Sequence, residues 1–120
     1  MTGVVSLRLP AALERTIRHH AAESKMPVAN VVQWILKHAL DSQFNFSALP
    51  DHWGLLDAKL DTRLPADLVS RIRTESQRLK VSVSVYSRVV LFAYYTKRLI
   101  VVDIGGRYTL AENHEQKKSA

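Results

Sequence analysis

The chain has no cysteine, which excludes disulfides and thiolate metal sites. No apolar run approaches the ~18 residues needed to cross a bilayer. The opening Met1-Thr2-Gly3-Val4-Val5 lacks the basic segment and apolar core of a signal peptide, so a cytoplasmic protein without membrane partners is expected. A metal centre has little to draw on. Of the five histidines, His19 and His20 are adjacent, and a helix points neighbours in different directions. No histidine pair has the i, i+4 spacing of a helical zinc site. There is no nucleophile–base pair, no phosphate loop and no credible pair of carboxylates. Neither an enzyme nor a bound cofactor is expected.

What is present fits one domain. The chain has 120 residues, 47% of them hydrophobic, enough for a packed core. The net charge is +6, unevenly spread. Residues 1–40 carry five Lys/Arg against two acids, and residues 59–99 carry nine against three. Residues 41–58 carry only three Asp, and residues 100–120 balance. A basic domain favours a polyanionic partner, although charge alone also suits a merely soluble surface.

The basic segments are two copies of one text. Arg8-Leu9-Pro10-Ala11-Ala12-Leu13 returns 55 residues later as Arg63-Leu64-Pro65-Ala66-Asp67-Leu68. The register holds without a gap: Ile17-Arg18 over Ile72-Arg73, Lys25 over Lys80, Val28 over Val83, Leu36 over Leu91. A unit this short cannot bury its apolar face alone. Two in one chain suggest a dimer fused into a monomer.

Each unit reads as strand, helix, helix. Val5, Leu7 and Leu9 alternate with Val4, Ser6 and Arg8, the period of a strand with one buried face. In the second copy Leu60, Thr62 and Leu64 point in, while Lys59, Asp61 and Arg63 point out. Thr62 makes that strand the weaker one. The first helix is expected from about Pro10 to Lys25, burying Leu13, Ile17 and Ala21; Leu68, Ile72 and Leu79 do the same in the second unit. Asp67 lies in a first turn, where the helix dipole favours it. The second helix carries Val28, Val31, Val32, Ile35, Leu36, Ala39 and Leu40 on one stripe, matched by Val83, Tyr86, Ser87, Val90, Leu91, Tyr94 and Tyr95. Pro27 is expected at the first helical position, and Ser82 as an N-cap.

Residues 4–40 and 59–99 are thus the two units. The linker 41–58 holds Phe44, Phe46, Leu49, Trp53, Leu55 and Leu56 and is expected to pack on the core away from the strands. Residues 100–111 surround Gly105-Gly106 and read as a β-hairpin. Residues 112–120 read as a polar tail.

A strand followed by two helices, with proline at the strand-to-helix junction, resembles the ribbon-helix-helix family typified by the Arc and MetJ repressors. The resemblance covers most of the chain. The tandem arrangement resembles a subset that includes TraY-type relaxosome accessory proteins of conjugative plasmids. The same subset includes the virulence-region protein that binds the overdrive enhancer beside T-DNA borders. The resemblance implies a mainly α fold with one antiparallel ribbon, in pseudo-two-fold β-α-α-linker-β-α-α order. It implies double-stranded DNA as partner, with the ribbon in the major groove, and a relaxase or other transfer-complex protein nearby. The base-reading residues would be Val4, Ser6, Arg8, Lys59, Asp61 and Arg63. Their chemistry suits base recognition, since Arg and Lys donate to guanine, Asp accepts from cytosine N4, and Val touches a thymine methyl. Phosphates would rest on the N-termini of the second helices, at Val28 and Ala29 and at Ser82, Val83 and Ser84. Two departures from the family pattern stand out. Pro27 removes one donor, and Asp61 puts a negative charge into a groove lined by phosphates.

Blander readings exist. Arg8, Lys59 and Arg63 would also keep an exposed ribbon from aggregating. The tyrosines at core spacing fit packing better than base stacking. Trp34 and Trp53 lie off or between the stripes and fit either a core cover or a partner surface. A repressor of the same fold, or a module whose ribbon pairs with a partner strand, are the alternatives to an accessory factor in DNA processing.

Overall fold

The computed structural model describes residues 2–42, 56–96, 99–104 and 107–112, with the backbone alone for residues 2, 42, 99–104 and 107–112. The described residues form a mainly helical structure, four helices with a two-stranded antiparallel sheet. The order is β1 (Thr2–Leu9), α1 (Ala11–Glu23), α2 (Val28–Ser42), β2 (Ala58–Pro65), α3 (Ala66–Arg78) and α4 (Val83–Tyr95). A second antiparallel pair follows, β3 (Leu99–Ile104) and β4 (Arg107–Glu112), with Ile104 opposite Arg107. β4 packs against α2, and β3 against α4. Gly105-Gly106, the linker residues 43–55 and the tail from 113 lie outside the described residues. So do the expectations for the linker aromatics, Trp53 among them.

Alternation sets the sheet. Val5, Leu7 and Leu9 of β1 and Leu60, Thr62 and Leu64 of β2 are buried, and the residues between them are exposed. Thr62 costs little in this row, because its hydroxyl donates to the carbonyl of Val5 at 3.2 Å. The β1–β2 register places Ser6 opposite Asp61, Val4 opposite Arg63 and Arg8 opposite Lys59. Ser6 and Asp61 are 55 residues apart, so equivalent residues of the two copies meet at the middle of the sheet.

The helices close over the inward face. Leu13, Ile17 and Ala21 of α1 and Leu68, Val69 and Ile72 of α3 are buried. So are Val31, Val32, Ile35, Leu36, Ala39 and Leu40 of α2, and Tyr86, Val89, Val90, Leu91 and Ala93 of α4. Val28, Leu79, Val83, Tyr94 and Tyr95 are only partly buried against this core. The packing crosses between the copies: β1 lies against α3 and α4, β2 against α1 and α2, and α2 against α4. Within each half of the chain, α1 also packs on α2 and α3 on α4.

The helix ends explain the boundaries. α1 is shorter than the expected 10–25. Pro10 has φ −59° and ψ 142° and stands just before the helix, its carbonyl accepting from the amides of Leu13 and Glu14 at 3.0 and 3.1 Å. Pro65 repeats this with φ −56° and ψ 143°. Pro27 also departs from expectation. α2 begins at Val28, and the Pro27 carbonyl accepts from Asn30 and Val31. Pro27 is therefore the residue before the helix rather than its first residue. Lys25 and Lys80 both adopt positive φ, 56° and 60°. Their amides bond back to the carbonyls of Ala22 and Gln77, and the next amides, of Met26 and Val81, reach Ala21 and Ser76. This double bond pattern closes a helix C-terminus and usually employs glycine.

Pro10 cannot cap α1 with its side chain, and the linker supplies the cap instead. Asp57 Oδ1 accepts the Ala11 amide at 3.2 Å. Carboxylates at helix N-termini satisfy a free N–H and complement the dipole. Asp57→Ala is expected to lower stability by about 1 kcal/mol, read from denaturant unfolding. An unchanged midpoint would show that water replaces the cap at no cost.

Candidate nucleic-acid interface

The outward face of β1–β2 is built from six side chains in three cross-strand pairs. All six are exposed, Val4 most notably at 59%. The antiparallel register gathers them unevenly. Arg8 and Lys59 stand side by side at one end, and Arg63 stands beside Val4 at the other. Like charges directly opposite in a sheet destabilise it, so the Arg8/Lys59 pair works against the stability of the free ribbon.

The centre is chemically different. The Ser6 hydroxyl donates to Asp61 Oδ1 at 2.6 Å, the short range of a charge-assisted bond. Lys59 Nζ lies 3.9 Å from Asp61 Oδ2. The carboxylate is thus held from both sides while about half of it stays exposed, at 53%. The face reads cation, hydroxyl–carboxylate, cation pair.

The second group of residues lies where the second helix of each copy begins. Val28 and Ala29 open α2 half-buried. Ser82 caps α4, its hydroxyl accepting the Val85 amide at 3.1 Å. Val83 and Ser84 follow, half-buried. The structure joins one of these ends to the ribbon through a residue that the sequence pattern does not single out. Arg88 is buried at 7% exposure. Its Nε donates to the carbonyl of Arg8 at 2.9 Å, and its Nη2 lies 3.4 Å from Ser84 Oγ. Burial pulls its pKa below the usual guanidinium value, yet arginine stays protonated in proteins. A fixed positive charge therefore sits between the end of β1 and the start of α4. The matching position in α2 is Gln33, which is neutral. One signal points to it in the sequence: Arg88 is the lone charged residue of the apolar helix α4.

Tyr86, Tyr94 and Tyr95 are taken up in packing. Tyr86 is 2% exposed. The Tyr95 hydroxyl lies 2.7 Å from His20 Nδ1, and burial pushes the Tyr95 phenol well above its usual pKa. Trp34, 37% exposed, packs beside His38 and Tyr94. These rings are engaged with one another. Among the described residues no group of three or more His, Asp or Glu is placed to hold a metal. No described helix is long and apolar enough to cross a membrane. No protein-family model, curated protein or solved structure matches the chain.

Proposed function

We propose that the chain is a single-chain ribbon-helix-helix protein, two fused units with a C-terminal hairpin, that binds double-stranded DNA with sequence preference. The ribbon β1–β2 enters the major groove. One observation carries the reading: the paired outward face sets Arg8 directly beside Lys59 over a buried inward face. Resistance to aggregation needs exposed charges, but it does not need two cations abreast. A polyanion offsets that repulsion. A two-stranded β-ribbon also fits the major groove, where Arg and Lys meet guanine O6 and N7.

Both strands belong to one chain, so the binding unit is a monomer, free to sit side by side with another on DNA. The two strands differ, Val4, Ser6 and Arg8 on one against Lys59, Asp61 and Arg63 on the other. The site is therefore non-palindromic and bound in one orientation, since a symmetric operator mirrors a symmetric reader. Such a protein suits an accessory role in DNA processing or transfer in the cytoplasm, marking a site beside which a relaxase acts. A repressor of the same fold differs in the site and its neighbours rather than in the binding chemistry.

The test is selection of bound duplexes from a random pool, followed by titration at rising salt. A non-palindromic consensus is expected. Affinity should fall steeply with salt, because added ions diminish the gain from counterion release. A partner strand added to the ribbon edge would instead bind with little salt dependence. Failure to enrich any duplex would overturn the reading.

A further inference from the structure

We infer that Asp61 is a specificity-determining residue, which makes the centre of the ribbon select, on the strand it faces, a base whose major-groove edge carries an exocyclic amino donor, cytosine or adenine, and reject guanine or thymine there. The inference rests on the ribbon being the DNA reader.

Three observations support it. The first is position. Asp61 and Ser6 are opposite each other in the register and equivalent in the repeat, so they mark the local two-fold centre of the outward face. Whatever they meet is the middle of the site, flanked by Arg63 on one side and by Arg8 and Lys59 on the other.

The second is hydrogen-bonding capacity. An ionised carboxylate accepts and cannot donate. Ser6 could donate, but its single O–H is spent on Asp61 Oδ1 at 2.6 Å. Its remaining lone pairs accept. The centre therefore presents acceptors from both strands. In the major groove guanine offers N7 and O6, and thymine offers O4 and a methyl group. None of these bonds an acceptor. Cytosine N4 and adenine N6 carry the amino hydrogens that do. The ribbon as a whole reads donor, acceptor, donor, which matches guanine-like edges outside and an amino group in the middle.

The third is orientation and charge. Ser6 holds one carboxylate oxygen and Lys59 approaches the other at 3.9 Å, so the group is preorganised without being neutralised by a close ion pair. On a surface that seeks phosphates, a half-exposed carboxylate opposes binding to any duplex. That opposition is offset only where a base donates to it. Asp61 thus weakens the wrong sites more than the right one, which is how a repulsive group raises specificity.

The experiment uses the whole chain and duplexes carrying the selected consensus, each of the four central base pairs in turn, and a random-sequence duplex, with fluorescence anisotropy at fixed salt. Asp61→Ala is expected to bind the random duplex more tightly than wild type. Discrimination among central base pairs should fall at least about fivefold, with discrimination at the flanking positions kept. Asp61→Asn, which donates as well as accepts, should shift the central preference toward adenine. Ser6→Ala should blunt central discrimination by a smaller factor. Thermal melts of all three should match wild type, because the residues are exposed. If Asp61→Ala discriminates at the centre as wild type does, or loses affinity uniformly for every duplex, the assignment of Asp61 is overturned while the ribbon reading stands. If wild type itself enriches no duplex, both fall together.

Discussion

Leu91→Ala or Leu36→Ala is expected to lower the unfolding free energy by about 2–5 kcal/mol. Both side chains are wholly buried, on the two helices α2 and α4 that pack on each other between the copies. Truncation removes apolar contacts and leaves a cavity that the crossing helices cannot close without shifting the strands they carry. Denaturant unfolding monitored by circular dichroism gives the loss. The same samples give a second result. A dimer of separate chains unfolds more readily on dilution, whereas this core is assembled within one chain. The melting temperature of wild type should therefore not change with protein concentration. A midpoint that climbs with concentration would place the pairing strands on different molecules. A loss below about 1 kcal/mol in both variants would mean that the α2–α4 contact is not the centre of the core.

Arg8→Ala and Lys59→Ala should behave in the opposite way. Each is expected to weaken binding to the selected duplex by about 1–3 kcal/mol. The double substitution should cost less than the two losses added, because adjacent groups sharing one anionic partner are not independent. Each should also make the salt dependence shallower. Arg8→Ala should leave stability level or raise it by a few tenths of a kcal/mol, since it relieves a like-charge pair across the strands; Lys59→Ala relieves the same pair but gives up the contact with Asp61 at 3.9 Å, so its stability should stay level. The split matters more than either number. A variant that is as stable as wild type and binds less tightly identifies a surface used for contact. If both variants bind as wild type does, the ribbon is not the reader, whatever else the chain binds.

Much of the fold is legible in the residues alone, for a physical reason. Alternation at Val4–Leu9 and the stripe from Val28 to Leu40 are local patterns whose period follows from backbone geometry. Their recurrence 55 residues later says which strands pair. The residue pattern places the starts of α1 and α2 one residue too early, while the Ser82 cap puts the start of α4 where it is found. Proline is compatible with both the first helical position and the one before it, and only the ψ of 142° at Pro10 decides. Arg88 and Asp57 escape the pattern for a different reason. Their partners, the Arg8 carbonyl and the Ala11 amide, are 80 and 46 residues away. Both partners are backbone atoms, which leave no trace in a side-chain pattern. Spacing puts Ser6 and Asp61 on the outward face, but their bond depends on a register that alternation leaves free by two residues.

The crossed packing of the two copies sets the order of events as the chain is made. β1 finds its partner strand only when β2 appears, and its covering helices are α3 and α4. At ordinary rates of synthesis, the offset between the copies takes roughly 3–11 s to translate. For that interval Val5, Leu7 and Leu9 lack the helices that cover them, and α2 has only α1 beside it. Fusion into one polypeptide favours the correct pairing by proximity, and it leaves the strand of the first half uncovered until the second half is made.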